Sequence, residues 1–152
     1  MGKLTNSYGT KERLFELFKK VNGVLINEEN LPIDKKQLIV NDFISYVSEE
    51  IGLDDNKPKV MVMFDKTDFT EKHKSFGGYN PVTKEIHIVG YNRNLADTLR
   101  TLGHELIHHK QNLNNELTEK SGDTGSNQEN LANALAGILM RNYGKKNPKI
   151  FE

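Results

Sequence analysis

The feature that most constrains this chain is a run of five residues, His104-Glu105-Leu106-Ile107-His108, set inside a stretch with helical hydrophobic spacing. At about 100° per residue, Leu95, Leu99, Leu102, Leu106 and Leu113 gather on one side of a helix. His104 and His108 project within about 40° of each other on nearly the opposite side. Such a helix buries its leucine face and offers its imidazole pair. Neutral imidazole is a good zinc ligand, and two of them leave room for a third protein ligand and a water. Glu105 diverges by about 80° from the mid-line of the pair. It is badly aimed to share the ion but close enough to hold a water as general base. His109 falls about 120° from that mid-line, at the edge of the leucine stripe, and reads as a half-buried structural residue.

The chain has no cysteine, so a metal would have to sit on histidine and carboxylate groups. Glu129 is the expected third ligand. It stands at the head of a stretch that is otherwise strongly apolar: Leu131, Ala132, Leu135, Ala136, Ile138, Leu139 and Met140. A carboxylate buried there needs a partner, because burying it unpaired is costly. The competing role for Glu129 is as capping-box partner of Ser126. Asn133, four residues on along the same face, can hydrogen-bond a ligand histidine and fix its ring. Asp123, in Ser121-Gly122-Asp123-Thr124-Gly125, is the rival third ligand, since that loop could return to the metal.

Around this centre the chain reads as helices, a small sheet, then helices. A first amphipathic helix follows Thr10, with Leu14, Phe15, Leu17, Phe18 and Val21 as its stripe and Asn22-Gly23 as its stop. A second begins near Pro32, with Asp34 and Gln37 as a capping box and Gly52 as its end. Val60–Phe64, Ser75–Tyr79 and Glu85–Val89 read as strands, the last two joined by an Asn80–Lys84 turn. In Glu85–Val89, Ile86 and Ile88 mark the core face. Asn94 caps a helix over Leu95–Leu113. After a polar loop, Asn114–Gly125, a last helix starts at Ser126 and ends at Gly144. The order predicts an α+β fold with a small, mainly antiparallel sheet.

At 152 residues, 36% hydrophobic and 28% charged, the chain fits one soluble domain over 1–152, with 1–9 and 145–152 as loose ends. Lys plus Arg and Asp plus Glu balance at 21 each, so nothing in the net charge draws nucleic acid or a membrane surface. The opening residues lack an apolar signal core, and Asn6 breaks the myristoylation pattern. No run is long and apolar enough for a membrane span. The expectation is a cytoplasmic or virus-encoded product without signal peptide or transmembrane segment. The Gly77-Gly78 pair lies in a hairpin and lacks the strand–loop–helix setting of a nucleotide site.

His104–His108 followed by Glu129-Asn130-Leu131-Ala132-Asn133 resembles the gluzincin branch of the zincin metallopeptidases. The likeness covers roughly residues 60–143 and is to the minimal members, a kind that also occurs in phage genomes. It implies a zincin-like fold whose edge strand lies along the substrate cleft. It also implies one zinc on His104, His108 and Glu129, and hydrolysis of a peptide or protein substrate with Glu105 as base. Many gluzincins carry a downstream His or Tyr that stabilises the oxyanion. Here Tyr143 lies about 20 Å along the last helix from Glu129, too far to serve. His87, Tyr79 and Tyr91 are the candidates that remain, each with an ordinary structural role as the alternative. The competing expectation is a zincin-fold binding or structural module, for example a phage component, that keeps zinc without turnover. Deformylase-type chemistry would need a Cys ligand that the chain lacks.

Overall fold

The computed structural model describes residues 31–72, 75–118 and 125–148. The amphipathic helix expected after Thr10, and Asp123, lie outside the described residues. The fold is α+β: α1 (Ile33–Ile51), β1 (Lys59–Met63), α2 (Asp68–Lys72), β2 (Gly77–Asn80), β3 (Glu85–Val89), α3 (Leu95–Leu113) and α4 (Asn127–Lys146). None of the described helices is long and apolar enough to cross a membrane.

Helix α1 starts where proline presets the backbone, at Pro32 with φ −61°. The expected Asp34–Gln37 capping box does not form, because both residues already lie inside the helix. Lys35 and Lys36 instead donate their backbone N–H groups to the Pro32 carbonyl. Gln37 reaches across to the sheet and donates to the Val62 carbonyl at 2.8 Å. Gly52 ends the helix with φ 73°, a left-handed conformation that costs glycine nothing.

The sheet is mixed rather than mainly antiparallel, in the order β1-β3-β2. Central β3 pairs parallel with β1 (Val62↔Ile88) and antiparallel with β2 (Gly78↔His87). Local alternation correctly separates the faces: Ile86 and Ile88 are buried and His87 is exposed. Which strand lies beside which is settled by the crossover from β1 through α2 and β2, which alternation does not encode. In the turn, the Asn80 side chain accepts from the N–H groups of Val82 and Thr83, and Lys84 takes φ 60°.

Asn94 caps α3 as expected, accepting from Asp97 N at 2.8 Å. Leu95, Leu99, Leu102 and Leu106 are buried, and they pack with Ile86, Ile88, Phe43 and α4 into one core. Helix α4 does not stop at Gly144 but continues to Lys146, so residues 145 and 146 are not loose. Tyr143, 1% exposed, anchors that last turn, and Asn147 N closes it on the Tyr143 carbonyl. Lys146 adds its ammonium over the Tyr46 ring.

Tyr143 also donates its hydroxyl proton to Asp42 Oδ2 at 2.7 Å, which ties α4 to α1. Asp42 is 4% exposed and its Oδ1 has no partner among the described residues. Burial raises the Asp42 pKa from 3.8 to about 6, and the Tyr143 hydrogen bond only partly offsets this. The native state therefore holds a proton there that the unfolded chain has already released. The resulting stabilisation is full below the unfolded value and is lost as pH rises through about 6. The unfolding free energy of wild type relative to Asp42→Asn should fall by about 2 kcal/mol between about pH 4 and pH 7. Urea melts of both proteins across that range check this, and a difference independent of pH contradicts it.

Candidate metal centre

The site forms where α3 and the first turn of α4 pack against each other. His104 and His108 stand one turn apart on α3, with their ring planes nearly perpendicular and centroids 4.6 Å apart. Their Nε2 atoms are 3.1 Å apart. The two Glu129 oxygens divide between them: Oε1 lies 2.9 Å from His108 Nε2 and Oε2 lies 3.1 Å from His104 Nε2. Four ligands around zinc at about 2.0–2.1 Å would be separated by roughly 3.3 Å. The contacts that join the two imidazole nitrogens to each other, and each of them to its own Glu129 oxygen, are 2.9–3.1 Å, close to that spacing. His104, His108 and Glu129 therefore form a group that can hold a metal ion.

Local sequence accounts for the placing of each member. The leucine stripe buries one face of α3 and turns the histidines toward α4. Ser126 caps α4 by accepting from Glu129 N at 3.1 Å, so the Glu129 backbone completes the cap while its carboxylate faces the imidazoles. The first turn of a helix also favours a negative charge. Burial lowers the His104 pKa, against the raising influence of Glu129 and of the Asn133 side chain as an acceptor for the ring N–H. A neutral imidazole is the form that ligates a metal. Asn133 thus meets the histidine ring that its spacing predicts.

Glu105 lies on the other flank of the same cleft, 8% exposed. Burial raises its pKa from 4.5 to about 7; His108 opposes this shift and Glu129 reinforces it. The edge strand β2 crosses directly above, and Gly77 allows that approach. A Cβ at Gly77 would meet Thr101 Cγ2 at 2.6 Å and stand 3.5 Å from Glu105 Oε2. The cleft encloses about 650 Å3. Gly77 and Tyr79 line one wall, His104, Glu105 and His108 the floor, and Glu129 and Asn133 the far side.

His109 is not half-buried but 1% exposed. Its Nε2 donates to the Asn56 carbonyl at 2.6 Å, so Nδ1 is left to accept from the Tyr79 hydroxyl at 2.7 Å. Asn112 donates to the same hydroxyl at 2.9 Å. Tyr79 thereby pins the edge strand to α3. His87 lies on the exposed face of the sheet, in a separate hollow with Phe69 and Glu85. Tyr91 does not line the cleft, and Tyr143 is buried against Asp42. Sequence reasoning missed Gln111. It is 3% exposed, with Oε1 2.8 Å from His108 Nδ1 and Nε2 3.1 Å from the Gln128 carbonyl. Its i+3 spacing from His108 was the available signal.

Tyr79→Phe should cost about 1–3 kcal/mol, because it leaves His109 Nδ1 buried without its donor. Chemical denaturation measures this, and an unchanged midpoint contradicts it. Removing either imidazole, in His104→Ala or His108→Ala, should abolish stoichiometric binding of added Zn2+ at about one ion per chain. Glu129→Ala should weaken binding markedly, and Asp123→Ala should leave it nearly intact. Metal analysis after desalting checks this series, and unchanged retention in both histidine variants contradicts it. Comparison of the chain with protein-family models, with curated proteins and with solved structures returned no match.

Proposed function

We propose that this chain is a zinc-dependent hydrolase of peptide bonds, a small gluzincin-like metalloendopeptidase. One observation carries the reading: the His104, His108 and Glu129 group, able to hold a metal ion, shares a cleft with the buried carboxyl of Glu105. Zinc bound there would supply Lewis acidity, polarising a carbonyl and easing deprotonation of water. Glu105 takes the proton from the attacking water and passes it to the leaving amine. Burial holds the Glu105 carboxyl above the ordinary carboxylate range in the metal-free site, which favours its taking a proton. Glu129 and the two neutral imidazoles bring one negative charge, so a divalent ion leaves the centre net positive. Strand β2 bounds the cleft with an edge that no strand among the described residues pairs, along which an extended peptide can lie.

One observation favours the alternative, a binding or structural module that keeps zinc without efficient turnover. The hydroxyl of Tyr79, which lines the cleft, is engaged with His109 and Asn112. It is therefore poorly placed to stabilise an oxyanion. We expect turnover to be weak and confined to few substrates. Glu105→Gln should keep zinc while losing hydrolysis at least about 100-fold, since the amide preserves shape but cannot take the proton. A digest of unfolded proteins and peptides at matched zinc occupancy tests this. Cleavage by the variant at the wild-type rate would remove Glu105 as the base. A zinc-loaded wild type that cleaves nothing would favour the module.

A further inference from the structure

We propose that Gln111 is a positioning residue. In this role it fixes the tautomer and orientation of His108 so that Nε2 faces His104 and Glu129, and it sets the α3–α4 separation there. The inference rests on the metal-binding reading above. The Gln128 carbonyl can only accept, so the Gln111 amide must present its NH2 group to it, at 3.1 Å. Oε1 of the same amide is then the atom 2.8 Å from His108 Nδ1, and that nitrogen must carry a proton. With Nδ1 committed as a donor, Nε2 is the nitrogen available for ligation. It is also the atom that lies 3.1 Å from His104 Nε2 and 2.9 Å from Glu129 Oε1.

The second end of the amide matters as much. Gln128 immediately precedes Glu129, so one buried side chain on α3 holds both a ligand of its own helix and the backbone beside the ligand of α4. The clamp continues outward: Gln128 Nε2 donates to the Glu116 carbonyl, and Glu116 N donates to the Gln111 carbonyl. Helix α4 thus enters the site held at a depth set by Gln111. Outer partners of this kind commonly change metal affinity by about 10–100-fold.

Two substitutions separate orientation from simple packing. Gln111→Leu keeps bulk but loses both hydrogen bonds, whereas Gln111→Glu keeps an acceptor for Nδ1–H and loses the donor to Gln128. Zinc affinity, measured by competition with a chelator, should fall about 10–100-fold in Gln111→Leu and be partly restored in Gln111→Glu. Equal affinity in Gln111→Leu and wild type overturns the proposal, as does Gln111→Glu binding as weakly as Gln111→Leu. A second readout needs no metal and no variant. Nitrogen-15 spectra of the metal-free wild type should show a proton on His108 Nδ1, and an unprotonated Nδ1 overturns the assignment. A wild type that shows this proton yet binds no zinc supports the role of Gln111 and overturns the zinc reading instead.

Discussion

Everything at the centre depends on one carboxylate that faces two imidazoles across a helix–helix contact. Glu129 reaches His108 with one oxygen and His104 with the other, so a pair of short polar contacts joins α3 to α4 at the centre. Such a contact is favourable only if the partners arrive already oriented, since half-buried charge without a partner is destabilising. The orientation comes from apolar packing on both helices. Leu99, Leu102 and Leu106 seat α3, and Ala132, Ala136 and Tyr143 seat α4. The polar groups then occupy the gap that this packing leaves.

The same helix divides its polar residues among three tasks. His104 and His108 face α4, Glu105 faces the edge strand, and His109 is buried where it fastens that strand through Tyr79. Three successive directions around α3 thus hold the imidazole pair of the candidate metal centre, the carboxyl proposed as base and the residue that shapes the cleft. The sheet is split in the same way. Ile86 and Ile88 lie against the helices, and His87 points to the opposite, exposed face, which removes it from the oxyanion candidates.

The parts legible in the sequence are those fixed by short-range periodicity and capping. Leu95–Leu113, its Asn94 cap and Glu85–Val89 can be read to the residue, because helical and alternating patterns there agree with turn chemistry. Glu129 could be named because a carboxylate at the head of an apolar helix requires a partner. What escaped depends on contacts between distant segments. Gln37 abandons a local cap for the Val62 carbonyl, Gly144 stays helical because Tyr143 before it and Lys146 beyond it are held, and β1 pairs parallel through a crossover. Gln111 escaped for the same reason: its spacing reveals one partner, His108, while its second partner is a backbone carbonyl 17 residues away.

The most direct test of the centre is the X-ray absorption spectrum at the zinc edge of the zinc-loaded protein. Two imidazole nitrogens and carboxylate oxygen at about 2.0–2.2 Å, completed by one further light atom, are the predicted shell. A shell with fewer than two imidazoles, or one unchanged by Glu129→Ala, would contradict a centre built on His104, His108 and Glu129.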